Sequence, residues 1–227
     1  MLFICLFNYS IVKQIKKLLL IGIFLFCILP SIAQDKQPNT LKNHDIGQSW
    51  SASLKKFKKK AAAANIIFTF PKGFKEIKAP DNEDFSFDYA MELPGKDFEI
   101  WFLVKSQKEN WASYQRTLND KNTRLANPDS LYLGLGTANA IAFTGGRDYF
   151  TRSIPQRVAA RYNADAGKSY LLTLLDMPIT KHYKYALLIT LQKDHMGTIL
   201  AVCFSNEKGP EFFNNMNKAS NCIKFEP

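Results

Sequence analysis

Three histidines, two late cysteines and a scatter of acids are the side chains with reactive potential, and their spacing excludes most of the chemistry they serve elsewhere. His44, His182 and His195 stand far apart, no His-Glu-x-x-His or His-x-His run occurs, and Cys203 and Cys222 lack Cys-x-x-Cys spacing. A metal site would therefore have to be assembled entirely by the fold, and no metal or cofactor is expected. The strained Gly-x-Ser-x-Gly elbow of a serine hydrolase is absent, and both cysteines lie in apolar strand-like runs that raise a thiol's pKa. Gly134-Leu135-Gly136 departs from a dinucleotide loop, because Asn139 stands where the third glycine belongs and no strand precedes it. Glycosidase chemistry needs two carboxylates across a cleft, and Asp84, Asp88, Glu92 and Glu99 are available; Asp88 and Glu92 fall on the polar side of one alternating run. No catalytic residue is assigned, and the pattern argues against an enzyme.

The polar group best suited to a ligand is Arg157 and Arg161, one helical turn apart, followed by Asn163 and Asp165 in a turn and Lys168 beyond. Two guanidiniums on one face grip a carboxylate or phosphate by paired hydrogen bonds, or they pair with local acids. Arg157, Arg161, Asn163 and Asp165 are the candidate contact patch. A second basic feature is Lys55, Lys56, Lys58, Lys59 and Lys60, which suits an anionic surface or simply a solvated one. Nucleic acid fits poorly, since only Phe57 interrupts those lysines where base stacking wants several aromatics.

Export follows from the first 33 residues. Lys13, Lys16 and Lys17 precede the apolar run Leu18–Leu29, then Pro30 and Ser31-Ile32-Ala33, which reads as a signal peptide cleaved after Ala33. The twelve-residue apolar run is short of the about 20 that a spanning helix needs. Phe26 is too bulky before Cys27 for lipid attachment. The expected location is secreted or periplasmic, with no transmembrane segment after processing. In that oxidising compartment Cys203 and Cys222 suggest a disulfide, or else two small buried hydrophobes.

The elements that must position these residues are readable by period. Residues 34–48 form a polar leader, and 49–227 one domain. Ser49–Ala64 is helical, with Trp50, Leu54 and Phe57 at helical spacing. Ile66–Phe70, Phe74–Lys78, Phe85–Glu92 and Asp97–Lys105 read as strands of an antiparallel meander, with Phe85, Phe87, Tyr89 and Met91 alternating inward. Ser106 and Glu109 fit a capping box for a helix whose stripe is Trp111, Tyr114, Leu118 and Leu125. A further helix covers Leu131–Phe143, with Leu131, Leu135, Ala138 and Ala142 inward and Gly145-Gly146 as its stop. Residues 147–164 are legible as a helix from Pro155 or as a strand. Ser169–Met177 is a strand, and Tyr185–Gln192 with Thr198–Ser205 is a hairpin so apolar that both faces should be covered. Gly209-Pro210 opens a helix to Ala219 with Phe212, Phe213 and Met216 inward, and Ile223 and Phe225 finish the sheet. The class is α+β, an antiparallel sheet covered by helices.

The aromatic strand running into Phe70-Pro71-Lys72-Gly73-Phe74, the meander to Lys105, the helical middle and the closing hairpin, helix and strand resemble the PsbP-like fold over Ile66 to Phe225. That superfamily includes an extrinsic photosystem II subunit and a Ran-binding import factor. The resemblance implies an α/β/α sandwich, no shared catalytic set, and a binding or assembly role with a cell-envelope protein as partner. The helical middle, Ser106 to Phe143, departs from it. The alternative is a secreted hydrolase whose carboxylates meet only in the fold.

Overall fold

The structure, a computed structural model, describes residues 51–120, 123–146 and 149–227; the expected signal peptide, the leader, His44 and Trp50 lie outside them. In chain order the elements are helix α1 (Ala52–Ala63), strands β1 (Ile66–Phe68), β2 (Lys75–Ile77), β3 (Tyr89–Glu92) and β4 (Phe98–Ser106), and helices α2 (Lys108–Thr117) and α3 (Leu131–Thr144). Strand β5 (Tyr149–Ser153), the short helix α4 (Gln156–Ala159), β6 (Ala166–Thr173), β7 (Tyr185–Lys193), β8 (Gly197–Ser205), helix α5 (Pro210–Ala219) and β9 (Ile223–Phe225) follow. Seven strands form one sheet in the order β2-β3-β4-β8-β7-β6-β5, and every ladder in it is antiparallel. The class is α+β.

The β7–β8 hairpin lies at the centre, in register from Tyr185 opposite Ser205 to Lys193 opposite Gly197. Its branched and aromatic side chains fit a pleated surface, with Ala186 and Leu188 of β7 buried and Tyr185, Leu187 and Ile189 only half-buried. Along the neighbouring β4, alternate residues enter two separate cores. Ile100, Phe102 and Val104 join Leu54, Phe57 and Ala61 of α1 on one face. Trp101 and Leu103 join Ala140 and Phe143 of α3 on the other. Helix α1 starts at Ser51, whose Oγ accepts the Leu54 N–H at 3.0 Å, satisfying a free helical donor. Phe57 stacks on Tyr89 with ring centroids 4.9 Å apart. On the second face Phe85 stacks on Phe143 at 4.6 Å and Trp101 meets Phe204 at 4.3 Å.

Several sequence expectations are corrected. Ile223 and Phe225 do not finish the main sheet; β9 pairs with β1 in a separate two-stranded ladder. The alternation from Phe85 to Met91 is broken, because Phe85 and Phe87 belong to the α3-side core while Tyr89 and Met91 face α1. The regular strand begins only at Tyr89. The capping box does not form: Gln107 is the N-cap of α2 and makes no side-chain cap bond, and the helix ends at Thr117 with Leu118 and Leu125 exposed. Residues 147–164 hold both a strand and a helix, with Pro155 as the N-cap of α4. On α5, Phe212 is buried but Phe213 is exposed.

Helix α3 is turned opposite to its expected orientation. Gly136, Ala140 and Phe143 are buried, whereas Leu131, Ala138 and Ala142 face outward; of the residues expected inward, Leu135 alone packs on the core, half-buried. The cause is Tyr170 of β6, fully buried, whose ring lies where a side chain on Gly136 would begin: a Cβ there would stand 2.6 Å from the Tyr170 hydroxyl. Gly136→Ala is therefore expected to destabilise by about 1–3 kcal/mol through overpacking, despite the roughly 1 kcal/mol that alanine gains over glycine in a helix. Gly134, in the same helix with open space around it, should show that gain as Gly134→Ala. Urea unfolding of the pair reads both signs.

Candidate functional site

The α1-side face of the sheet is not covered uniformly. Cross-strand partners project from the same face, so the register defines a row running Met91, Ile100, Cys203, Leu187, Leu171 and Phe150 from β3 out to the edge strand β5. Met91 is buried, Leu187 and Leu171 are half-buried, and Phe150 is 70% exposed. A parallel row carries Arg152, Ser169, Ile189 and Ala201. The expectation that both faces of the hairpin are fully covered thus holds for Leu188 but fails for Leu187 and Ile189. An apolar trough results, open toward β5.

Its inner end is a cavity of about 160 Å³ floored by Ile100, Ile189, Leu191 and Cys203, with Met216 and Ala219 of α5 on one side and Val158 and Tyr162 on another. Val158 belongs to α4 and Tyr162 to the single 3-10 turn that continues it, Ala160–Tyr162. Arg157 and Arg161 each precede one of these lining residues in sequence and are exposed. No ion pair or side-chain hydrogen bond joins Arg152, Arg157 or Arg161 to another described residue. Burial raises the Tyr162 phenol pKa, with the Arg161 charge acting the other way.

Asn163 and Asp165 leave the expected contact patch. Asn163 holds a left-handed backbone, φ 53°, and donates its side-chain amide to the Phe225 carbonyl at 2.8 Å. Asp165 accepts from the Lys193 ammonium at 3.1 Å and from the Asp194 N–H at 2.9 Å. Both are engaged in holding the fold. The two cysteines do converge: Cys203 and Cys222 both line the cavity, as free thiols, and burial pushes Cys222 up to about 12 and Cys203 up as well. Thiols so protonated are poor nucleophiles at neutral pH.

Two polar clusters lie elsewhere. Glu92 and Glu99 are direct cross-strand partners, and the Lys181 ammonium reaches both, at 3.4 Å from Glu92 and in close contact with Glu99 Oε1. Glu99 is 1% exposed; its other oxygen accepts from the Trp101 indole at 3.1 Å. Burial pulls the Lys181 pKa down, but Glu99 and Glu92 outweigh it and the net shift is upward. Asp84 and Asp88 do not join them: Asp84 is exposed, and Asp88 binds the Val104 N–H and Lys60. The Glu92 and Glu99 carboxylates thus share Lys181 between them, and Lys75 stands 4.0 Å from Glu92.

At the hairpin turn, His195 stacks on Trp111 at 3.7 Å and places Nδ1 2.9 Å from Asp129 Oδ2. Asp129 also accepts the His195 N–H at 2.7 Å. Burial, Asp129 and Asp165 together raise the pKa of Asp194 above its ordinary 3.8. An acid raised on folding costs stability once ionised, so this penalty is absent where Asp194 is protonated in both states and complete above its folded pKa. Asp194→Asn should therefore stabilise at pH 7, lose that gain as pH falls through the raised folded pKa, and show none below the ordinary carboxylate value of about 4. Because Asp194 is exposed, screening limits the gain to about 0.5 kcal/mol or less. Melting curves at pH 7 and pH 3 test the sign. His182, in contrast, meets only Asp176 and is exposed.

Among the described residues no group of three or more His, Cys, Asp or Glu side chains is arranged to hold a metal, and no helix is long and apolar enough to cross a membrane. The signals that sequence reading passed over are Arg152, on β5 four residues before α4 begins, and the half-exposed row on β5–β7. An antiparallel α+β sheet with an arginine-rimmed apolar trough defines the class of protein, and comparison with protein-family models and with characterised proteins finds no match to the sequence.

Proposed function

We propose that this chain is an exported, non-enzymatic binding or assembly protein of the cell envelope, built on a PsbP-like fold. The observation that carries the reading is the trough and its cavity, an apolar space with exposed arginines on the neighbouring segment that have no acidic partner among the described residues. Apolar concavities with a few convergent polar groups are the usual form of a ligand site. The leader with Lys13, Lys16 and Lys17 supports export, and Phe70-Pro71-Lys72-Gly73-Phe74 supports the resemblance. The assembly side draws on α3, fourteen residues without a charge, which turns Leu131, Gly134, Ala138, Ile141 and Ala142 outward. A surface helix ordinarily carries charge on that side. Lys55, Lys56 and Lys59, exposed on α1, support an anionic surface as a secondary contact.

Tagged mature protein recovered from its native envelope tests the reading, using extraction and mass spectrometry for small molecules and crosslinking for proteins. The expected result is an occupant recovered chemically unchanged and depleted in an Arg157→Ala/Arg161→Ala variant. Conversion of a bound molecule that stops in Glu99→Gln would instead establish the hydrolase alternative.

A further inference from the structure

We infer that the ligand of the trough is a free single-chain amphiphile with an anionic head, its alkyl end in the cavity and its carboxylate or phosphate on Arg157 and Arg161, with Arg152 nearby. This rests on the binding reading above and names the ligand class for the same site. Three observations select it.

Volume comes first. The cavity of about 160 Å³ is close to the roughly 150 Å³ of an apolar cavity that admits one benzene. It therefore accepts the end of one chain and excludes a two-chain lipid or a fused ring system. The rest of a chain has somewhere to lie, because Leu187 and Leu171 continue the apolar floor outward to exposed Phe150. A closed pocket of this size without that continuation would suit only a small solute.

Charge comes second. Among the described residues that line the cavity there is no Asp, Glu, Lys, Arg or His; the polar members are Tyr162, Asn217, Ser220 and the two protonated thiols. Arg152 on β5 and Arg157 and Arg161 on the α4 segment are exposed and form no ion pair among the described residues, and Lys218 of α5 stands between the lining residues Asn217 and Ala219. A cationic head would be repelled there and a neutral one would gain nothing from the guanidiniums, whereas a carboxylate or phosphate meets donors of matching geometry.

The arrangement comes third. Val158 and Tyr162 line the cavity while the residues just before them, Arg157 and Arg161, face solvent. One turn of chain therefore supplies both an apolar wall and a charged rim. That order, apolar inside and cationic outside, matches a molecule that is apolar at one end and anionic at the other.

Isothermal titration of the folded mature protein with decanoate, decanol and decyltrimethylammonium, all kept below their micelle concentrations, tests the inference. Decanoate should bind one to one, at least tenfold tighter than decanol, and the ammonium compound should not bind. The Arg157→Ala/Arg161→Ala variant, altered only at exposed positions, should weaken decanoate at least tenfold and leave decanol unchanged. Equal binding of decanoate and decanol, insensitive to the arginines, would overturn the anionic head while leaving a binding protein. Absence of any alkyl binding to folded protein would overturn the amphiphile, whereas the binding or assembly reading falls only if capture from the envelope also recovers no occupant. Sedimentation with phosphatidylglycerol vesicles in the absence of decanoate binding would overturn the free amphiphile in favour of a membrane surface.

Discussion

Lys181→Ala is expected to lower the free energy of unfolding by about 3 kcal/mol, at the lower end of what breaking a buried ion pair costs. The physical reason is asymmetric exposure. The lysine side chain is about half in water, at 53%, but its partner Glu99 is at 1%. Removing the exposed member strands a buried carboxylate with only the Trp101 indole as donor, and Glu92 beside it adds repulsion. The loss corresponds to roughly 6–12 °C in Tm for a chain of this size. Removing both charges is a different experiment. Glu99→Leu/Lys181→Ala should recover to within about 1 kcal/mol of the parent, since a buried pair replaced by apolar groups is often neutral. A double variant as unstable as the single one would show that Lys181 acts through the loop it anchors and not through Glu99. The cycle is measured by urea unfolding at constant m-value.

Phe57→Ala is expected to cost about 3–5 kcal/mol, the range for deleting a buried phenylalanine. Phe57 is 1% exposed and touches three other rings, Tyr89 at 4.9 Å, Phe68 at 5.0 Å and Phe102 at 6.0 Å. It is the largest side chain by which α1 holds the sheet and the β1–β9 ladder together, with Leu54 and Ala61 beside it. Lys56→Ala, one residue away on the exposed side, should fall within about 0.5 kcal/mol of the parent. If Phe57→Ala behaved like Lys56→Ala, α1 would not be part of the cooperative core. The comparison also separates the two uses of this helix, because the lysines that suit an anionic surface flank an apolar stripe facing the opposite way.

Strand positions were more legible than strand partners. Tyr185–Gln192 and Thr198–Ser205 were placed within a residue of β7 and β8, because runs of branched and aromatic residues around a five-residue turn constrain the chain locally. The pairing of Ile66–Phe68 with Ile223–Phe225 spans nearly the whole described chain, and nothing in either three-residue run specifies it. On α3 the apolar residues surround the helix, so periodicity selects no face; the contact between Gly136 and Tyr170 selects it. The break at Asp88 reverses Phe85 and Phe87 for a similar reason, since the carboxylate of Asp88 takes the Val104 N–H and ends the regular pleat.

The same division holds at the candidate site. Arg157 and Arg161 were recognisable from their spacing, because i and i+4 share a helical face. Asn163 and Asp165 looked equivalent to them by proximity, yet their hydrogen bonds reach Phe225, Lys193 and Asp194. By itself the sequence determined the class of elements and most of their order, which depend on neighbours within a few turns of chain. Only the tertiary structure decided that Cys203 and Cys222 share one cavity, that Glu92 and Glu99 meet over Lys181, and that an apolar row opens beside the arginines. The register of the seven-stranded sheet places Cys203, the Glu92–Glu99 pair and the apolar row, since a shift of one residue would move every side chain to the other face; long-range packing of the segments outside it brings up Cys222 and Lys181.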